Sequence, residues 1–352
     1  MNKFLTFLLL AMLSFSTISA QDQQFSQFFA APMTLNPALT GAFSGRYRVG
    51  IIYRNQWANV LESPMVTYGA AADFRFSLNP RTSRKQDGLG AGMIFYADRF
   101  SDSGFSTNQL AISTALHKSL SDYNDQYLTL GVQLGIAQRN INFGNIFFND
   151  QFNGTTGFTD PTAEPLPANN FTFSDLSVGL NYTYSPQNGL RIFAGAALFH
   201  VVEPEVTFYQ DTEDPDEAGS NKLFRKLTSY LSVDIALNDN VRISPRAVVH
   251  AQGPFLTINA GANLRLRVDE VNGVAFHLGG WVRPVSDVNN TLVLDTAVAM
   301  AGIEFDNILF GLSYDIGLSS LDTVLPLNRN IFEFSIAYLG LYDDSAVYCP
   351  KF

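Results

Sequence analysis

Residues 256–268 alternate strictly between apolar and polar side chains over their whole length. Side chains of a β-strand point to opposite faces in turn, so this segment has one apolar face and one polar face that carries Arg265 and Arg267. It is longer than the usual globular strand, whereas a tilted strand that crosses a bilayer needs roughly 9–11 residues. If other segments share this pattern, the chain folds into a membrane β-barrel.

Comparable alternation recurs along the chain and predicts about fourteen strands, an even number as in closed bacterial barrels. In chain order they are residues 46–57, 65–77, 88–99, 105–118, 126–139, 173–184, 190–202, 223–237, 241–250, 255–268, 273–283, 292–305, 308–316 and 331–339. The expected fold class is therefore all-β, a transmembrane antiparallel up-and-down β-barrel. A soluble β-sandwich would explain some alternation, but globular strands run to about 5–6 residues and these are longer.

The connections between the predicted strands support the same fold. Outer-membrane barrels have short periplasmic turns and longer outer loops. If the N-terminus is periplasmic, the tight turns fall on the periplasmic side, at residues 185–189, 238–240 and 306–307. The longest connections fall on the outer side, at residues 140–172, 203–222 and 317–330. A soluble protein would have no reason to sort its loops in this way.

The composition also fits a barrel. The chain of 352 residues is 46% hydrophobic and 15% charged, and its mean hydropathy is +0.05, which is typical of a barrel whose lipid and lumen faces balance. The net charge of −10 argues against nucleic-acid binding. Cys349 is the single cysteine, so no intrachain disulfide forms, and its thiol is either inert or pairs between molecules.

The first residues have the pattern of an export signal. Lys3 supplies a positive charge, residues 4–15 an apolar core, and Ala20 a small residue before the expected cleavage. We therefore expect a signal peptide at residues 1–20 and a mature chain that begins at Gln21. With no cysteine at the cleavage point, the chain is not expected to be a lipoprotein. The expected location is the cell outer membrane.

Residues 21–43 do not alternate, and they contain Pro32 and Pro37. We expect them to form an ordered N-terminal periplasmic arm or a plug at the periplasmic mouth of the barrel. Apolar residues favour docking of this arm over a free tail; they are Phe25, Phe28, Phe29, Leu35 and Leu39. The barrel itself is expected at residues 44–341, followed by a C-terminal extension at residues 342–352.

Four blocks of the sequence carry a family resemblance. They are Gln24-Phe25-Ser26-Gln27-Phe28 with Leu35-Asn36-Pro37-Ala38 and Gly41; Tyr53-Arg54-Asn55-Gln56-Trp57 followed by Pro64; Phe310-Gly311-Leu312-Ser313-Tyr314-Asp315; and Phe332-Glu333-Phe334-Ser335-Ile336-Ala337-Tyr338. Together they resemble the PorP/SprF family of type IX secretion membrane proteins. Weaker matches lie at residues 243–245 and 280–287. The resemblance covers nearly all of the mature chain, and its N-terminal block is the most specific.

One departure concerns the C-terminus, because residues 342–352 extend past the last matching strand. Either Phe352 or the strand at residues 332–338 could then serve as the assembly signal. The family-motif residues carried over onto this chain are Gln24, Phe25, Ser26, Gln27, Asn36, Pro37, Gly41, Tyr53, Arg54, Gln56, Trp57, Ser313, Tyr314 and Asp315.

The resemblance implies a non-enzymatic outer-membrane barrel of the Bacteroidetes type IX secretion and gliding apparatus. Such barrels are similar to fatty-acid transporters, without transport chemistry, and assist export or surface anchoring of specific cargo proteins. The implied partners are outer-membrane lipid, a secreted cargo protein through its C-terminal targeting domain, and other type IX components. The alternative function is an outer-membrane porin or fatty-acid-transporter-like channel for small hydrophobic or acidic solutes.

Residues that would indicate catalysis or a cofactor are sparse. The four histidines, His117, His200, His250 and His277, fall in different predicted strands without HxxxH or HExxH spacing. No GxSxG motif occurs. We therefore expect no enzyme, cofactor or metal, with a barrel enzyme at the outer rim as the weakest alternative. The acidic loop at residues 210–217 is either a solvated loop or a calcium site.

Arginines share the polar phase of several predicted strands; they are Arg46, Arg48, Arg54, Arg75, Arg242, Arg246, Arg265 and Arg267. On the lipid face at mid-depth each would cost about 2–4 kcal/mol, so we expect them to point inward. The expected lumen residues named for this reason are Arg75, Arg246, Arg265 and Arg267. They either form ion pairs with Asp73, Asp234, Asp315 and Glu333, or line an interior that handles an acidic ligand.

Overall fold

The computed structural model of the chain is a closed antiparallel β-barrel in which β1 pairs with β14. It describes residues 22–58, 64–79, 83–100, 104–186, 189–209, 221–270, 272–287, 291–318 and 330–340. Within this part of the chain there are fourteen strands, each hydrogen-bonded to its neighbours in sequence. The predicted fold class is confirmed.

The strands have the following bounds: β1 Tyr47–Gln56, β2 Met65–Ser77, β3 Gly88–Phe100, β4 Phe105–Ser119, β5 Gln126–Asn140, β6 Asn170–Tyr184, β7 Leu190–Phe199, β8 Lys226–Ala236, β9 Val241–Gln252, β10 Phe255–Asp269, β11 Val274–Ser286, β12 Leu292–Phe305, β13 Ile308–Gly317 and β14 Ile331–Gly340. One four-residue helix, α1 Pro32–Leu35, precedes them. Short 3₁₀ turns lie at Pro37–Leu39, Phe143–Asn145 and Asn149–Gln151.

Most strand boundaries agree with the predicted ones, and β2 and β12 match them at both ends. The largest differences flank one connection, since β7 ends at Phe199 and β8 begins at Lys226. The predictions of 202 and 223 for these bounds were wrong. His200 has φ +55° and Glu203 has φ +46°. A left-handed backbone cannot continue a strand, so β7 ends before the apolar run through Val202 does.

The alternation places apolar side chains outside and polar ones inside. On β4 and β5, Ile112 and Leu134 are 66% and 63% exposed and lie opposite each other, whereas Ser113 and Thr129 are each 1% exposed. The outer surface is therefore an apolar belt. A bilayer would cover this belt, while the polar face lines a lumen.

The barrel has two unlike ends. At the turn end, short connections join β6 to β7, β8 to β9 and β12 to β13. At the loop end lie the longest connections, residues 141–169, 200–225 and 318–330. This is the sorting of loops that the sequence predicted.

Residues 22–43, hereafter the arm, lie inside the lumen. Asp22 contacts Gln252 at the loop end, and after the arm Arg46 N–H donates to Gly340 O at the turn end. Pro32 occupies the first turn of α1, where the missing N–H costs nothing. The arm has partners along the length of the wall, from Gln252 at the loop end to Asp73 near the turn end.

Among the described residues, no helix is long and apolar enough to cross a bilayer. Several sequence predictions lie outside the described residues. These are the signal peptide at residues 1–20, the acidic loop at residues 210–217, Cys349, and the extension at residues 342–352.

Candidate functional site

The contact surface between the arm and the barrel wall is built around Glu333. Its carboxylate is fully buried and accepts the backbone N–H groups of Ser26 and Gln27, each at 2.9 Å. Arg54 Nη1 donates to the same carboxylate at 2.9 Å and also to the carbonyl of Gln24. One acidic side chain therefore joins the arm to the strand pair that closes the barrel.

Asp315 forms a second junction beside Glu333. Ser26 Oγ donates to Asp315 Oδ2 at 2.5 Å, and Arg283 Nη1 donates to the same oxygen at 2.9 Å. Arg283 also reaches Ser26 Oγ and the side chain of Asn259. Buried ion pairs are stable when their remaining donors and acceptors are satisfied. Here Ser26 of the arm contacts Asp315 Oδ2 and Arg283 Nη2, whereas Asp315 Oδ1 has no hydrogen-bond partner in the described structure.

Gln27 is held through both ends of its amide. Its Nε2 donates to Ser313 Oγ at 3.3 Å and to the carbonyl of Glu333 at 3.2 Å, while Ser335 Oγ donates to Gln27 Oε1 at 2.7 Å. Blocks that are far apart in the sequence thus meet in one network. The family resemblance predicted these residues separately, and the structure brings them together.

Asp22 anchors the arm at the loop end. Its carboxylate lies 2.7 Å from His200 Nε2 and 2.8 Å from Lys226 Nζ, and His200 Nδ1 lies 3.1 Å from Asp175. Burial alone would raise the pKa of Asp22, but Lys226 and His200 hold that pKa well below its usual range. Burial alone would lower the pKa of His200, but Asp175 and Asp22 raise it to about 9.

At mid-depth the arm presents apolar side chains to the wall. Phe28, Leu35 and Leu39 belong to one buried cluster with wall residues from β7 to β12; these are Phe193, Tyr230, Val248, Trp281, Val298 and Met300. Burying each large apolar side chain contributes about 1.5–3 kcal/mol. The cluster fills the centre of the lumen.

Asn36 satisfies backbone groups of both the arm and the wall. Its side-chain oxygen caps the following 3₁₀ turn by accepting the N–H of Ala38 at 2.8 Å. Its amide nitrogen donates to the carbonyls of Leu180 and Ala196 at 3.0 and 3.2 Å. Both the oxygen and the nitrogen of this buried side-chain amide therefore have hydrogen-bond partners, as is usual for buried polar groups.

At the turn end, Asp73 holds the last part of the arm. Its carboxylate accepts a hydrogen bond from Gly41 N–H at 2.7 Å and forms a bidentate ion pair with Arg48 at 2.9 and 2.7 Å. Arg75 Nη1 donates to the carbonyl of Gly41 at 3.0 Å. His117 Nε2 lies 2.8 Å from the carbonyl of Thr40, which can only accept, so this nitrogen carries a proton.

Two wall glycines allow the arm to approach closely. A methyl group at Gly131 would overlap the backbone of Pro37 and Ala38, and one at Gly179 would overlap the side chain of Asn36. Both glycines are buried on the lumen face. The sequence contained no signal for this role, because a glycine in a strand has several explanations.

A cavity of about 270 Å³ remains at the turn end. Its charged lining consists of Arg191, Arg242, Arg246, Arg265, Arg267, His277, Asp234, Glu304 and Asp306. Arg265 Nε donates to Glu304 at 2.7 Å, and His277 Nε2 lies 3.2 Å from the same carboxylate. Arg246 lies 3.9 Å from Asp234.

Two further cavities lie at the loop end. One of about 450 Å³ lies beside Asp22, Gln24 and Arg54. The other, hereafter the loop groove, has about 380 Å³ and is lined by two long connections at residues 141–167 and 206–209. Its lining is mostly apolar and includes Phe143, Phe148, Leu166, Phe208 and Tyr209.

The other predicted residues lie in several places. Tyr53 stacks obliquely near Tyr68 with ring centroids 5.4 Å apart, and Tyr314 is 43% exposed on the outer face. Gln56 accepts from Arg54 at 3.2 Å. Trp57, with φ +63°, follows the end of β1.

Arg46 departs from the expectation that the arginines point inward. It precedes β1 and is exposed at the rim, where water can solvate the charge and the penalty of the bilayer centre does not apply. Sequence reasoning also missed Asp22, Asp175, Arg283 and Glu304. Arg283 could have been found from the polar phase of β11, but the following Pro284 obscures the alternation.

Among the described residues, no group of three or more His, Cys, Asp or Glu side chains has an arrangement that could hold a metal ion. Each histidine instead has neighbours in the wall or arm. His250 lies 3.0 Å from Thr228 Oγ1, and His277 lies 3.1 Å from Asn263.

The apolar belt, polar lumen and closed sheet define an outer-membrane β-barrel protein, here with an internal N-terminal arm. The family model described as "Type IX secretion system membrane protein PorP/SprF" matches residues 17–338. The chain belongs to this family. It is thus an outer-membrane barrel of the type IX secretion system, and membership implies interaction with other components of that system.

Solved structures of outer-membrane barrels are similar to this chain at low sequence identity, and the likeness of fold rests on the first of the two. A TodX deltaS2S3 mutant monoaromatic hydrocarbon channel superposes with TM-score 0.50 at 10% identity, covering 92% of this chain and 96% of that chain. A Pseudomonas aeruginosa FadL homologue gives TM-score 0.47 at 9% identity, covering 86% of this chain and 92% of that chain. No curated protein sequence matches significantly.

Proposed function

We propose that this protein is a non-enzymatic barrel that holds or guides a secreted cargo protein at its loop end during export or surface anchoring. The observation that carries the proposal is the arm inside the lumen. It is anchored at Asp22, Glu333 and Asp73, and its centre is packed against the wall. A barrel filled in this way suits a scaffold better than a conduit for solutes.

Removing the arm would be costly. Glu333 and Asp315 are 0% exposed and Asp73 is 1% exposed, and each accepts hydrogen bonds from the arm. Removing a hydrogen-bond donor from a buried acceptor typically costs about 1–3 kcal/mol, and more when the acceptor is charged. The arm is therefore a permanent part of the barrel, and the residues available to a large partner are those at the two ends.

The loop groove is the surface at which we place the cargo. Exposed apolar side chains gather around it, with Leu166 42% exposed and Tyr209 55% exposed. Nearby Phe147 and Phe158 are 66% and 44% exposed, with ring centroids 5.5 Å apart. Contiguous exposed apolar surface of this kind marks an interaction site. The short turns at the opposite end indicate that the loop groove faces the outside of the cell.

Complementation of a strain that lacks the gene tests this proposal. We expect the wild-type gene to restore export of one or a few surface proteins. A variant with Leu166→Ser and Tyr209→Ser should reach the outer membrane in normal amount, as a folded barrel, yet fail to restore export. Surface proteomics and heat-modifiable gel mobility measure the two properties.

A matched control exists at the turn end. Leu120 and Tyr123 are 44% and 89% exposed, so Leu120→Ser with Tyr123→Ser removes similar apolar surface away from the loop groove. This control should restore export fully. Normal export of all surface proteins in the strain without the gene would contradict the cargo role, and full complementation by the groove variant would contradict the placement of the cargo.

A further inference from the structure

The turn-end cavity contains an arrangement of arginines that the barrel alone does not explain. Arg242 on β9 and Arg265 on β10 are direct partners in the strand register. The period of two puts Arg246 and Arg267 on the same lumen face of their strands, and both line the cavity. Like charges placed directly opposite each other in a sheet are destabilising.

The carboxylates in the cavity offset this charge only in part. Five arginines line it against three carboxylates, in a chain whose net charge is −10. Glu304 is engaged by Arg265, and Arg267 is 3.4 Å from Glu270, which is 84% exposed. Within the described residues Arg242 forms no ion pair. The cavity is therefore a local basic site at one end of an acidic protein, which favours an anionic occupant.

Unpaired polar atoms show what else the occupant must supply. Asn263 Oδ1, Asp234 Oδ1 and Arg246 Nε are buried without a hydrogen bond in the described structure, although Arg246 Nη2 lies 3.9 Å from Asp234 Oδ1. Buried polar atoms normally have partners. The first two are acceptors and require a donor, while Arg246 Nε requires an acceptor. An acidic peptide supplies both, with carboxylates for the arginines and backbone N–H groups for Asn263 and Asp234.

The size and lining of the cavity limit how much of a ligand enters. Its volume of about 270 Å³ lies just below the range of sites that enclose whole small molecules. Ile308, Leu309 and Leu339 also contribute to the lining, and they suit the aliphatic stems of side chains. The cavity thus fits the tip of a larger molecule.

From these observations we infer that the turn-end cavity binds the acidic tip of a partner polypeptide, two or so Asp or Glu side chains with their adjoining backbone. Arg242 and Arg267 form ion pairs with the carboxylates of the peptide, and Asn263 and Asp234 accept hydrogen bonds from its N–H groups. This site lies at the opposite end from the loop groove and is independent of it.

The experiment uses the purified full-length protein in lipid nanodiscs and a fluorescein-labelled peptide, acetyl-Asp-Glu-Asp-Glu-amide. We expect saturable binding by fluorescence anisotropy, none for acetyl-Asn-Gln-Asn-Gln-amide, and strong weakening in 1 M salt, where charges are screened beyond about 3 Å. Arg242→Gln with Arg267→Gln should weaken binding at least tenfold, since charge-assisted hydrogen bonds are lost.

Arg84→Gln is the matched control. Arg84 lies at the same end, 87% exposed and 3.9 Å from Asp122, outside the cavity, and its loss should change the affinity less than twofold. Without peptide, Arg242→Gln should also raise the unfolding temperature, because it removes the charge opposite Arg265. That readout shows that the variants are folded.

Three results would overturn the inference. They are no saturable binding of the acidic peptide, equal loss of affinity in Arg84→Gln, and pyrophosphate that displaces the peptide at lower concentration than the unlabelled peptide does, which would identify a small-oxyanion site. The variant with Leu166→Ser and Tyr209→Ser should bind the acidic peptide normally. A failure of the cargo proposal can therefore be distinguished from a failure of this inference.

Discussion

Arg54 and Glu333 face each other across the seam where β1 meets β14, with Arg54 Nη1 2.9 Å from Glu333 Oε1. The same carboxylate accepts the backbone N–H groups of Ser26 and Gln27. Closure of the barrel and docking of the arm therefore depend on one buried acidic group. A change at this position should affect both.

Glu333→Gln should destabilise the folded barrel by about 3–5 kcal/mol, the usual effect of breaking one partner of a buried ion pair. The amide is neutral and leaves the Arg54 charge uncompensated in a buried site. Urea unfolding of the protein in lipid vesicles, followed by tryptophan fluorescence, measures the change in unfolding free energy.

The control for this prediction replaces both partners. Arg54→Met with Glu333→Met removes both charges and should cost less than the sum of the two single changes, because neither charge is then left alone. The expected interaction energy is about 0.5–3 kcal/mol. Additive effects would contradict direct coupling between the two residues.

Gly131→Ala should displace the arm from the wall. The new methyl group overlaps the backbone of Pro37 and Ala38, and overpacking of this kind typically costs about 1–3 kcal/mol. In a chain with Cys349→Ser and the reporter Thr34→Cys, we expect faster labelling of the reporter by an aqueous maleimide.

Gly135→Ala tests whether the effect of Gly131→Ala is specific. Gly135 lies on the same strand and the same lumen face, but a methyl group there meets its nearest neighbour, Ala111 Cβ, at an ordinary 3.5 Å. With Gly135→Ala, Thr34→Cys should be labelled at the same rate as in the reporter chain that keeps both glycines. Equal acceleration by both alanines would show that the arm does not lie against Gly131.

The loop-end anchor should loosen at alkaline pH. The pKa of His200 is raised to about 9, above the ordinary value of about 6.5. The stabilisation it contributes is therefore complete below about pH 6.5 and is lost as the pH rises through 9. A spin label at Gln23→Cys, in the Cys349→Ser chain, should become more mobile over this range.

Acid should have little effect on the same anchor. The pKa of Asp22 is lowered by Lys226 and His200 against the effect of burial, so its contribution is present above about pH 3.8 and is lost only as the pH falls through the lower folded value. Label mobility should not change between pH 6.5 and 5. In His200→Gln the alkaline transition should disappear, and its persistence would assign the transition to another group.

Much of the fold could be predicted from the sequence, because the side chains of a barrel strand alternate between lipid and lumen and their polarity alternates accordingly. β2 was predicted to the residue, since lipid and lumen impose opposite polarity on its two faces. β12 was also matched at both ends, although its lumen face carries the apolar Val298 and Met300. The end of β7 could not be predicted, because apolar residues continue past His200 and nothing in the sequence indicates its positive φ.

The path of the arm was not predictable in the same way. Its prolines and aromatic residues indicated docking, but contacts such as Asp22 with His200 join residues far apart in the chain. The pairs of Asp73, Asp234, Asp315 and Glu333 with arginines were anticipated as a set. Their individual partners were not, since Asp315 pairs with Arg283, which the pattern of alternation did not single out.

Current through a planar lipid bilayer tests most directly whether the barrel is a filled scaffold. The wild-type protein should carry no steady current, whereas a variant that lacks residues 22–43 should. Gly131→Ala, which keeps the whole chain, should show intermittent openings and serves where the shortened chain does not insert. Steady current from the wild-type protein with its arm intact would contradict the account and favour a channel for small solutes.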